Sequence, residues 1–75
     1  MAGGDDVARE IIFLVEEAAE GGWQARGLDA PIFTEAEDLA GLKAMVRDAV
    51  RCHFEDQKRP EIIRFHIVRE EVVAA

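Results

Sequence analysis

The chain has 75 residues, 49% of them hydrophobic, and a formal net charge of −7 from 16 acidic and 9 basic side chains. A chain of this length holds one core and not two, and it buries only roughly 60% of the surface its unfolded form exposes, so a second copy or a partner is an expected source of stability. The acidic balance argues against direct nucleic-acid binding, which needs Lys and Arg to neutralise phosphate, and favours encounter with a basic protein.

In chain order, residues 1–8 are small, glycine-containing and acidic and are expected to form a disordered tail, leaving residues 9–75 as a single domain. Glu10 to Glu17 reads EIIFLVEE, β-branched, aromatic and too short for a helix, which predicts a strand apolar on both faces. Gly21 and Gly22 signal a hairpin turn into a second strand from Trp23 to Leu28, where Trp23, Ala25 and Gly27 alternate with Gln24, Arg26 and Leu28. Asp29, Ala30 and Pro31 turn the chain into a short third strand over Ile32 to Glu35, whose entering proline suits a sheet edge.

Asp38 is placed to cap a helix running to about Phe54. Leu39, Leu42, Met45, Val46, Ala49, Val50 and His53 recur at helical spacing as its apolar stripe, with Lys43, Arg47, Asp48 and Arg51 away from it. Pro60 stops any continuation through the charged loop. A fourth strand follows from Glu61 to Val68, with Ile63, Phe65 and Ile67 on one side and Arg64 and His66 on the other. The final EEVVAA either extends this strand or packs loosely.

Residues 16–55, which from Glu20 read EGGWQARGLDAPIFTEAEDLAGLKAMVRDAVRCHFE, resemble the N-terminal domain of HicB-type antitoxins. The resemblance rests on Gly21, Gly22 and Trp23, on Ala25, on Pro31, on the cap Asp38, and on Leu39, Leu42 and Val46 of the helix. It departs where the usual proline-glycine turn is reduced to Ala30 and Pro31, and where Gly41 replaces the glutamate of a capping box, which predicts a fraying first helical turn. It implies an α+β fold, β-β-β-α-β, with a trimmed ribonuclease-H-like sheet of order 3-2-1-4. Strand four would lie parallel to strand one, and a single helix would pack on one face. Many members append a helix-turn-helix or ribbon-helix-helix module; none is read after strand four, so operator binding is not carried over.

Such a sheet can hold metal-binding carboxylates at the centre of its first strand. Here that centre is Ile11 to Val15, with Glu10, Glu16 and Glu17 only at its ends, so neither a two-metal centre nor enzymatic activity is expected. Cys52, His53 and His66 are zinc-ligand types without a recognised spacing, and no metal or cofactor is expected. A lone cysteine fits a reducing cytoplasm, no apolar run approaches a membrane span, and the start lacks the order of a signal peptide.

Ile12 and Leu14 are the most informative pair. If Ile11, Phe13 and Val15 face the helix, these two point to the opposite side of the sheet, where no remaining segment can cover them. Leaving both in water forgoes on the order of 3 to 6 kcal/mol, which favours burial by another chain. Gln24, Arg26, Arg64 and His66 are their expected neighbours, and Trp23 is either a further interface residue or the closure of one end of the core.

The expected protein interface is therefore Ile12, Leu14, Trp23, Arg26, Arg64 and His66, with an exposed edge strand as a second route through main-chain pairing. The expected function is a self-associating, protein-binding domain. The resemblance adds occlusion of a small basic toxin of the ribosome-independent RNase type. The alternative is a solitary homo-oligomeric scaffold or regulatory subunit with no toxin partner.

Overall fold

The computed structural model describes residues 9–69 and 71–75; the tail expected over 1–8 lies outside them. The fold is α+β. Strands β1 (Glu10–Glu17), β2 (Trp23–Gly27) and β3 (Phe33–Ala36) precede helix α1 (Leu39–His53), a single 3-10 turn spans Asp56–Lys58, and strand β4 (Ile62–Val68) closes the order. The sheet runs β3-β2-β1-β4, with β1 antiparallel to β2 and parallel to β4.

β1 is central because it alone can be apolar on both sides. Its Ile11, Phe13 and Val15 are buried beneath the helix, and Ile12, Leu14 and Glu16 are half-buried on the other face. The β1–β2 hairpin turns at Gly21 and Gly22, with φ of +104° and +83°, and a Cβ on Gly22 would come within 2.8 Å of the Ala36 carbonyl oxygen. Glycine is required there both by backbone conformation and by the close approach of β3.

The buried arc of α1 is Leu42, Val46 and Val50, flanked by half-buried Leu39 and Ala49, and it lies chiefly over β3 and β2. Two stripe assignments are corrected. Met45 is exposed because it stands about 100° around the helix from Val46. His53 has the right angle but is the last helical residue, and it overhangs the β3 side of the sheet beside Ile32 and Phe33.

Asp38 caps the helix as expected, and Gly41 has a part in the cap. Asp38 Oδ1 accepts a 2.6 Å hydrogen bond from the Gly41 amide, and a Cβ at Gly41 would lie 2.9 Å from that oxygen. The glycine thus leaves room for the capping carboxylate and does not merely loosen the turn. Asp38→Ala is expected to cost about 1 kcal/mol and lower the melting temperature by about 4–8 °C, measured by circular dichroism.

Beyond α1, Arg9 anchors the return of the chain. Its guanidinium donates to the carbonyls of Gln57 (2.9 Å) and Arg59 (3.1 Å), and its own carbonyl accepts from the amides of Glu61 and Ile62. These bonds deliver β4 alongside β1 in the parallel register Ile11 to Ile63 and Phe13 to Phe65. Residues 71–75 continue without regular structure, and Val72 and Val73 are almost fully exposed.

Candidate functional site

The helix covers one face of the sheet and, among the described residues, no element is layered on the other. Its side chains follow from the register. One row across the strands is Phe33, Arg26, Leu14 and His66; the next is Glu35, Gln24, Glu16 and Val68. On the other side of the first row, Ile12 stands beside Arg64, and Leu28, whose amide donates to the Ile12 carbonyl at 3.0 Å, extends the same register.

This face brings together Ile12, Leu14, Arg26, Arg64 and His66 as the sequence predicts. Ile12 and Leu14 are half-buried and not bare, because side chains on the neighbouring strands flank them. The free energy forgone by leaving them uncovered is accordingly smaller than for two fully exposed side chains. Much of the exposed apolar surface is supplied instead by Phe33, 57% exposed, and by Leu28. Ile12, Leu14 and Leu28 form an apolar centre, Phe33 stands beyond Arg26 on the edge strand, and Arg26, Glu16, Gln24, Glu35 and His66 set polar groups between and around them, a mixture found at protein interfaces.

Arg64 is fixed at one end of this face by a 2.6 Å bond from its Nε to Glu10 Oε1. That hydrogen bond, together with the carboxylate charge, raises the guanidinium pKa, so Arg64 is a permanent cation whose charge is already met.

Trp23 is not part of this face. It has the parity of Ala25, lies on the helix side half-buried against the core, and has the Arg69 guanidinium 5.9 Å from its ring centroid. Its free side lines a shallow cleft of about 870 Å³ with Glu20, Glu35 and Glu37. Trp23 therefore closes one end of the core.

The candidate zinc ligands do not converge. Cys52 and His53 line a shallow depression at the end of α1 with Pro31 and Phe33, while His66 is on the uncovered face. Among the described residues no three His, Cys, Asp or Glu side chains stand together as a metal site, and no helix is long and apolar enough to cross a membrane.

Phe33 is the residue that sequence reasoning missed. The signal was alternation: Ile32 and Thr34 are buried, which puts Phe33 and Glu35 on the opposite side.

No family model matches the chain, and no solved structure matches it. It is similar to a UPF0150 protein of Thermotoga maritima, 30% identical over 69 residues that cover 92% of this chain and 97% of the relative. It is 53% identical over 55 residues to a UPF0150 protein of Archaeoglobus fulgidus, covering 73% of this chain and 82% of that one. With such identity spread over most of both proteins, the chain belongs to the UPF0150 family.

Proposed function

We propose that this protein is a small cytoplasmic, self-associating binding domain that, like the HicB-type antitoxins its sequence resembles, inhibits a small basic RNase toxin by covering its active surface. One observation carries this reading: a sheet face that bears Ile12, Leu14, Leu28 and Phe33 has no second layer among the described residues. The net charge of −7 supports it, since long-range attraction speeds encounter with a basic partner. Inhibition then requires no chemistry from this chain, only contact with the toxin surface that RNA would otherwise occupy.

The second reading, a solitary homo-oligomeric scaffold, is favoured by the long unguarded outer edge of β4. The two separate in one experiment. Tagged full-length chain is used to capture partners from the native host, and any small basic protein recovered is assayed for RNase activity against increasing amounts of this chain. Loss of activity at equimolar chain supports inhibition. Recovery of only further copies of the chain supports the scaffold, and recovery of neither overturns both.

A further inference from the structure

We infer that two copies join through the free edge of β4, antiparallel and in one register centred on Phe65, so that their sheets become continuous. This rests on the self-association proposed above and assigns it to a particular edge.

The two edges of the sheet are unlike. A proline stands two residues before each edge strand, Pro31 before β3 and Pro60 before β4, so the strands differ in length and composition: β3 is four residues long and carries Glu35, whereas β4 is seven residues long, IIRFHIV, with no proline, lysine or glycine inside it. Ile62, Ile67 and Val68 on it are 42, 39 and 39% exposed. An edge of that length and composition is a template for another strand.

The sequence of β4 then selects its own copy as the added strand. With Phe65 opposite itself, Ile63 faces Ile67 of the second copy on the helix side, and Ile62 faces its Val68 on the open side. Immediately beyond the ladder, Glu61 faces Arg69 of the second copy. Sliding the pairing by one step of the pleat in either direction destroys this. One slip sets Glu61 against Ile67; the other sets Ile63 against Arg69. On the open side Arg64, whose charge Glu10 meets, faces His66 of the second copy.

The helix leaves space for this. α1 lies over β2 and β3, and between it and β4 runs a groove of about 570 Å³ floored by Val50, Ile63 and Phe65. Neither Glu61 nor Arg69 makes an ion pair among the described residues, although Arg69 lies over Trp23 in the single chain and must swing outward to reach Glu61. A two-fold axis normal to the sheet places both helices on one side and merges the two uncovered faces into one surface.

The test uses the full chain. Glu61→Arg puts Arg opposite Arg69 twice across the seam and is expected to raise the dimer dissociation constant by about tenfold, read by analytical ultracentrifugation. Adding Arg69→Glu to the same chain is expected to restore it. Isotope-filtered Overhauser contacts between Ile63 and Ile67 of different copies report the register directly. A dimer unaffected by Glu61→Arg, with intermolecular contacts at Leu14 and Phe33, overturns the β4 seam while leaving self-association standing. A monomer at every concentration overturns both.

Discussion

Phe13→Ala is expected to remove about 3–5 kcal/mol of stability, the usual cost of emptying a buried aromatic site. Phe13 is fully buried at the middle of the central strand, and its ring centroid is 6.4 Å from that of Phe65. It also spans toward Gly27, where a Cβ would sit 3.5 Å from its Cε2, and that glycine has no side chain to fold into the space the ring leaves. A chain of this length has a total stability of about 4–11 kcal/mol, so this one change takes about a quarter of it or more. Urea titration reads the effect as a lower midpoint at unchanged slope. A loss under about 1 kcal/mol would show that Phe13 is not a keystone of the core.

One residue further along, the expected outcome reverses. Leu14→Asp leaves the fold in place, at a cost of about 1 kcal/mol for a polar residue in a strand, because the side chain points away from the helix. Docking of a partner on the open face should instead weaken by about 2 kcal/mol or more, roughly thirtyfold, because a carboxylate is buried at the apolar centre of the contact. Calorimetric titration against the captured partner measures this, and light scattering is expected to show an unchanged dimer mass. Equal affinity for the wild type and Leu14→Asp would remove the open face from the binding reaction.

Positions 13 and 14 also show how much was legible beforehand. A run apolar on both faces fixes a central strand, and a period of two within it separates helix-facing from outward residues, so β1, its neighbours and the strand order follow from the sequence and the family resemblance. Boundaries moved where turns compete with strands. Ile32 was expected inside β3, but its amide bonds to the Ala30 carbonyl and its carbonyl accepts from Gly27, so it closes the turn and the strand begins at Phe33.

The register of β3 against β2 is set by the turn over residues 28–32, and it places Phe33 opposite Arg26 on the uncovered face. From sequence alone, a strand of four residues has no assigned face, which leaves Phe33 without a side. Trp23 carries two readings from sequence, interface or core closure, and its parity with Ala25, which puts it on the helix side against the core, agrees with the second.

The parallel pairing of β1 with β4 governs how the protein is made. Glu10 and Arg64, which form an ion pair, are 54 positions apart, so the first strand synthesised must wait for the last before the sheet is complete. Closing so distant a contact has a loop entropy that the hairpins formed earlier do not offset, which slows folding relative to a helical bundle of equal size. Until β4 leaves the ribosome, β1 has an unpaired flank, and the nascent chain is most prone to aggregate during that interval.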